Sequence, residues 1–209
     1  MRVGVDEAGK GPVLGSMFAA AVRADPADLP EGVGDSKGIP AQRRERLASA
    51  IRKAADTVAV AEVTVERIDD PDTDMNGLTV AAHAEALADA AAPDDETVVD
   101  AGDTNAVRFE RRVENRAPPA VRAEHGADEA HAIVGAASIV AKSAREAHVA
   151  DLTAAYGDVG SGYPSDPTTR AFLRSYVDEH GSLPACARES WQTSRDVLAA
   201  RDQASLGEF

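Results

Sequence analysis

The chain has 209 residues, 44% of them hydrophobic and only 4% aromatic, which suits one large domain able to bury a full core. Its 36 acids against 22 bases give a formal net charge of −14, which argues against a simple polyanion-binding surface. A single cysteine, Cys186, excludes a disulfide framework and a multi-cysteine metal site. No apolar run reaches membrane-spanning length, and Met1-Arg2-Val3 leads into strand-like sequence rather than a signal peptide, so a cytoplasmic location and no membrane partner are expected. The bases are lopsided: Lys10, Lys37, Lys53 and Lys142 are the four lysines, and the rest are arginines. An acid-rich, lysine-poor, alanine-rich surface is similar to those of proteins from salt-loving organisms, where salt screens self-repulsion.

In chain order, residues 2–6 and 13–23 read as strands joined by a Gly-Lys-Gly turn. A loop rich in Pro, Gly and Asp covers 25–38, and Pro40 opens a helix through Arg52. Residues 58–65 alternate like a strand, 78–92 form an alanine-rich helix closed by Pro93, and Thr97-Val98-Val99 is a buried strand running into Asp100. Residues 104–124 are strand-like though heavily charged. A helix is expected over 130–156, a Gly/Pro loop over 157–167, a helix over 168–180, and a last helix from about Ser190 that frays into a tail. Strands early and helices late predict an α/β fold with a mixed central sheet flanked by helices. The expected division is a catalytic domain over 1–156, a C-terminal helical part over 157–202, and a flexible tail over 203–209.

The chemistry concentrates at the start. Asp6-Glu7-Ala8-Gly9-Lys10-Gly11-Pro12 follows the apolar run Val3-Gly4-Val5. It nearly spells a phosphate-binding P-loop from Gly4 to Gly11, but Gly11 stands where the Mg²⁺-binding hydroxyl belongs, and the two acids would repel phosphates. A carboxylate site suits these residues better. Asp100, at a strand tip, and Asp128, ahead of the long helix, would read alone as a turn-former and a helix cap. Together with Asp6 and Glu7 they make four acids from separate segments, a donor set for hard divalent cations. Two such ions about 3.5–4 Å apart promote phosphodiester hydrolysis. Neighbours in a strand point to opposite faces, so Glu7 shares the site only if the strand bends or ends there.

These residues are part of a collinear set that resembles ribonuclease HII, the type 2 ribonuclease H, in an archaeal form. Asp6 to Gly15 resembles the family's opening motif, Asp35-Ser36-Lys37 its second, and Val98-Val99-Asp100 its third. Ala127-Asp128 with Ala136 to Lys142 resembles the fourth, and Gly160 to Pro167 and Arg188-Glu189-Ser190-Trp191 match later blocks. One departure is Arg145-Glu146, where the family usually has Arg-Asp. The resemblance implies a ribonuclease H-like fold with a C-terminal helical extension, and two Mg²⁺ or Mn²⁺ ions held by Asp6, Glu7, Asp100 and Asp128, with Asp6 shared by both. It implies that Gly9, Lys10 and Gly11 approach the ribose 2′-hydroxyl and its phosphate, and that Tyr163 stacks at the RNA–DNA junction. Lys37, Lys142 and Arg145 are candidates for phosphate contacts. His125 and His131 flank Asp128 without a cysteine nearby and read as structural or exposed; Trp191 reads as a core anchor.

The tail Gln203-Ala204-Ser205-Leu206-Gly207-Glu208-Phe209 resembles the Q-x-x-L-x-x-F peptide that docks on the sliding clamp (PCNA), with Leu206 and Phe209 on one side of a helical turn. The expected activity is that of a monomeric endonuclease cutting RNA–DNA hybrids and single ribonucleotides in duplex DNA, leaving 3′-hydroxyl and 5′-phosphate ends, in replication and repair. Two rivals stay open: a nuclease of the same fold that needs no 2′-hydroxyl, such as a junction resolvase, and a carboxylate-rich binding module without catalysis.

Overall fold

Val3 and Val5 are fully buried on one face of a strand whose other face carries Gly4 and Asp6, and this strand is the centre of the sheet. A computed structural model describes residues 1–34, 38–117 and 120–206, with side chains through residue 203. The elements run β1 (Arg2–Ala8), β2 (Met17–Ala24), α1 (Ala41–Ala54), β3 (Thr57–Val63), α2 (Val65–Asp69), α3 (Met75–Ala90), β4 (Glu96–Asp100), α4 (Ala106–Glu114), β5 (Val121–Glu124), α5 (Ala127–Ala130), α6 (Ala132–Tyr156), α7 (Pro167–His180) and α8 (Gln192–Leu206). No helix among the described residues is long and apolar enough to cross a membrane.

The chain forms two units. The first comprises Met1–Lys10, Met17–Val63 and Asp74–Glu146. Its five strands lie in the order β3-β2-β1-β4-β5, with β1 antiparallel to β2 and parallel to β4, and β4 parallel to β5. The mixed sheet flanked by helices is thus as expected. One face, with Ala20, Val22 and Val98, packs on Ile51 of α1 and on Ile133, Val134 and Ala137 of α6. The opposite face, with Val3, Val5, Ala21 and Val99, packs on Val80 and Leu87 of α3 and Phe109 and Val113 of α4. Covering on both faces explains why β2 reads as a continuous apolar run rather than an alternating one.

At Gly4 the backbone of β1 touches that of α6. A Cβ there would lie 2.3 Å from the Ile133 carbonyl oxygen and 2.5 Å from the Val134 nitrogen. Neither backbone can yield without moving the whole helix.

Residues 104–124 depart from the strand-like expectation. Asn105 accepts the Arg108 N–H at 2.9 Å as a helix cap, and Phe109 and Val113, one turn apart, bury one side of α4. Among the described residues of this segment, only Val121–Glu124 is strand. The arginines and glutamates of α4 hid this spacing. Asp103, just after β4, accepts two hydrogen bonds from Arg108 Nη2, at 2.6 and 2.8 Å, and one from Nε at 3.0 Å. Edge strand β5 is closed by α4: Glu110 accepts the Ala123 N–H and Glu114 the Val121 N–H, each at 3.0 Å. The match is geometric, since four helical residues rise about 6 Å and two strand residues about 6.6 Å.

The second unit comprises Gly11–Ser16, Thr64–Thr73 and Ala147–Phe209. The expected second strand begins four residues late, because Val13 and Leu14 belong here and Gly15, at φ 74°, breaks the run. Leu14 instead bridges to Ala187. Val13, Leu14, Val159, Leu173, Val177 and Val197 form the core of this unit. The strand expected over 58–65 ends at Val63: Thr64 and Val65 instead lead into α2, whose Asp69 carboxylate accepts the backbone N–H groups of Glu189 (2.8 Å) and Ser190 (3.0 Å). Buried Arg188 donates to the Gly15 carbonyl at 2.8 Å and lies 4.8 Å from the Trp191 ring centre.

Two outcomes are expected. Gly4→Ala overpacks the β1–α6 contact and should lower stability by about 2 kcal/mol or more, read as a fall in denaturant midpoint at constant slope. The Arg108 guanidinium holds the Asp103 carboxyl down at about 2, so the pair stabilises the fold above the ordinary carboxylate pKa and loses that effect as pH falls towards 2. Asp103→Asn should therefore lower Tm at pH 7, and the gap to the parent should close between about pH 4 and pH 2.

Candidate active site

The pleat of β1 decides where its two acids go. Gly4, Asp6 and Ala8 face α6, whereas Val3, Val5 and Glu7 face α3. Because β1 continues through Ala8, the strand neither ends nor turns between Asp6 and Glu7. Asp6 is 6% exposed and accepts the Glu7 backbone N–H at 2.7 Å. The Ser138 hydroxyl of α6 lies near enough to pull the Asp6 pKa down, though it makes no hydrogen bond of ordinary geometry. Burial, then repulsion from Glu7 and Asp100, outweigh these and push the Asp6 carboxyl up to about 8.

Glu7 behaves oppositely. Burial would raise it, but a hydrogen bond from His83 Nε2 to Oε2 at 2.9 Å and the Lys10 ammonium hold it below the ordinary range. Asp100 ends β4 beside the tip of β1 and accepts the Ala127 N–H at 2.8 Å, which ties the strand tip to the start of α5. Burial raises its pKa, and the Glu7 and Asp128 charges add to the effect. Asp128 is buried within α5, two residues after Gly126 at φ 68°. The topology thus brings Asp6, Glu7, Asp100 and Asp128 to one end of the sheet.

Among the described residues no three His, Cys, Asp or Glu side chains are gathered as a ready metal-holding group. The pleat contributes to this, since it sends Glu7 to the α3 side, where the carboxylate pairs with His83. The donor set nevertheless fits a hard divalent cation. It is all oxygen, and the burial and mutual repulsion that raise Asp6 and Asp100 are what such a charge relieves.

Around this cluster Gly9 takes φ 90°, and Lys10 Nζ donates to the Gly102 carbonyl and, at 3.3 Å, to Asn76 Oδ1. Lys142 is half-buried and Arg145 buried on α6. Within the second unit, Tyr163 is 44% exposed, and a Cβ on Gly11 would lie 3.7 Å from its ring. Thr169 anchors the tyrosine's loop, accepting the Gly162 N–H and donating to the Val159 carbonyl, both at 2.9 Å. Trp191 Nε1 donates to the Gly11 carbonyl at 3.3 Å, and His131 pairs with Glu124 at 3.0 Å. Gln203 is exposed on α8; Lys37 and Phe209 lie outside the described residues, and Leu206 is described only as the end of that helix. The residue that sequence reasoning missed is His83, a lone histidine in an alanine-rich helix with no motif around it.

Comparison with known proteins gives the family. The family model described as Ribonuclease HII matches residues 3–194. A ribonuclease HII of Haloarcula marismortui is 66% identical, with all of both chains covered. The crystal structure of the ribonuclease H2 from Pyrococcus horikoshii superposes with a TM-score of 0.88 at 34% identity, covering 96% of this chain and 98% of that one. The ribonuclease HII in a PCNA complex from Archaeoglobus fulgidus superposes at 0.85 and 38% identity, covering 94% and 96%. With its sheet, its strand-tip acids and these matches taken together, the chain belongs to the ribonuclease HII family of ribonuclease H enzymes.

Proposed function

We propose that the chain is an endonuclease that hydrolyses the RNA strand of RNA–DNA hybrids and single ribonucleotides embedded in duplex DNA, leaving 3′-hydroxyl and 5′-phosphate ends. The observation that carries this reading is the meeting of Asp6, Glu7, Asp100 and Asp128 at one end of the sheet in a chain of this family. Asp6, Glu7, Asp100 and Asp128 would hold two Mg²⁺ or Mn²⁺ ions, which when bound supply water activation and charge stabilisation at the leaving oxygen. The burial of Asp6 favours this role, because a carboxylate poorly solvated by water gains most from a cation.

Gly9, Lys10 and Gly11 are assigned to the ribose and its phosphate, since a glycine backbone donates to a 2′-hydroxyl with no side chain in the way. Lys10 is supported by its tether to Asn76 and Gly102, which aims its charge. Tyr163 offers an exposed ring on a loop whose backbone is anchored by Thr169, as stacking on a base requires. Lys142 is assigned to the phosphate backbone. Arg145 is assigned there too, from its place on α6, where its side chain is buried. Lys37 is assigned to the backbone on its motif alone.

The chain also fits work in a salty cytoplasm, in replication and repair, as a monomer. A haloarchaeal relative and the −14 charge support the salt-adapted reading. A PCNA partner is supported by the relative solved with that clamp and by the tail Gln203, Leu206 and Phe209.

The deciding assay uses a duplex carrying one ribonucleotide beside an all-DNA branched duplex. The parent should nick only the former with Mg²⁺ or Mn²⁺, stop in excess EDTA, and keep its activity in molar KCl. Asp6→Asn should lower the rate at least ~10³-fold with unchanged circular dichroism, because it keeps the shape and removes the charge. An active, folded Asp6→Asn protein, or cleavage in EDTA, would sink the reading. Removal of residues 203–209 should abolish co-elution with an archaeal PCNA and leave nicking intact; undiminished co-elution would count against the tail.

A further inference from the structure

His83 is fully buried on α3, and its surroundings leave it one polar task. Nε2 meets Glu7 Oε2 at 2.9 Å. A carboxylate oxygen only accepts, so the ring proton is on Nε2. The other nitrogen, Nδ1, is buried with no hydrogen-bond partner among the described residues. The ring stands edge-on to buried Phe109, with centroids 5.1 Å apart at 89°, which blocks it from turning to another partner. On the Glu7 side, Oε2 is committed to the imidazole, while Oε1 lies towards Gly102, 3.1 Å from where a Cβ on that glycine would sit.

We propose that His83 is a positioning residue, which holds one oxygen of the Glu7 carboxylate and so fixes the orientation in which the other is offered to a divalent cation. This rests on the reading of Glu7 as a metal ligand. A glutamate has three side-chain torsions, and with only 11% of its side chain exposed Glu7 turns towards whichever donor is available. Without the imidazole that donor would be Lys10, already tethered at Gly102, and the carboxylate would be neutralised by the ammonium instead of a cation. Hydrogen bonds to ligating carboxylates typically carry 10–100-fold in metal affinity or activity.

The test is calorimetric titration of Mn²⁺ into the full chain without nucleic acid, run beside the single-ribonucleotide assay. His83→Met keeps bulk and apolar packing on Phe109 but removes the donor; its Mn²⁺ Kd should rise 10–100-fold. His83→Gln, whose amide can reach Oε2, should restore Kd to within about threefold of the parent. In a Glu7→Gln background His83→Met should change Kd no further, because the two residues act as a unit. Parent-like Mn²⁺ affinity in folded His83→Met overturns the proposal, as does an unchanged loss in the Glu7→Gln background. If His83→Met does not fold, His83→Asn, too short to reach Glu7, takes its place with the same two readings. Failure of the parent itself to bind Mn²⁺ overturns the metal reading along with the proposal, whereas parent binding that is indifferent to residue 83 overturns the positioning role alone.

Discussion

Contact between the backbone of β1 and the first turn of α6 at Gly4 is the constraint on which the site depends. Side chains normally hold a helix several ångströms off a sheet. Here the missing Cβ brings the helix backbone onto the strand, two residues before Asp6 on the same face. The carboxylate is thereby roofed by α6 beside Ser138 and cut off from water. The parallel pairing of β1 with β4 then delivers Asp100 to the next strand tip, and the Asp100–Ala127 hydrogen bond fixes α5 and with it Asp128. A close approach between two backbones is thus converted into a local concentration of negative charge.

That concentration is costly to the fold. Asp6 and Asp100 sit above their ordinary pKa values because burial and neighbouring charges oppose their ionisation. Glu7 escapes chiefly through His83 and Lys10. Such local conflict is common where a structure is built for a ligand rather than for its own stability. The two apolar layers that sandwich the sheet, Ile133, Val134 and Ala137 on one side and Val80, Leu87 and Phe109 on the other, hold the acids in place despite their repulsion.

Much of this was legible in the sequence. The apolar run ending in Asp6-Glu7, the buried strand ending in Asp100 and the long helix after Asp128 each had a plain local signal, and the structure places all four acids at one end of the sheet. Residues 104–124 misled because arginines and glutamates masked the Phe109–Val113 spacing and the Asn105 cap. Thr64 and Val65 misled because Val63 and Val65 continue an apolar alternation across the end of β3. The opposite facing of Asp6 and Glu7 followed from the pleat alone. What did not follow was the reason Glu7 stays on the far side, since His83 lies 76 positions away and only the packing of α3 brings them together.

The edge strand β5 has a consequence of a different kind. Its outward N–H groups at Val121 and Ala123 are occupied by Glu114 and Glu110 of α4, so the strand offers no free donors at those positions to a strand from another molecule. A protein crowded in strong salt has lost much of the charge repulsion that keeps neighbours apart. Occupying these two donors with glutamates spaced to the strand's own repeat guards this edge by hydrogen-bond occupancy, a protection that does not fade when electrostatic repulsion is screened.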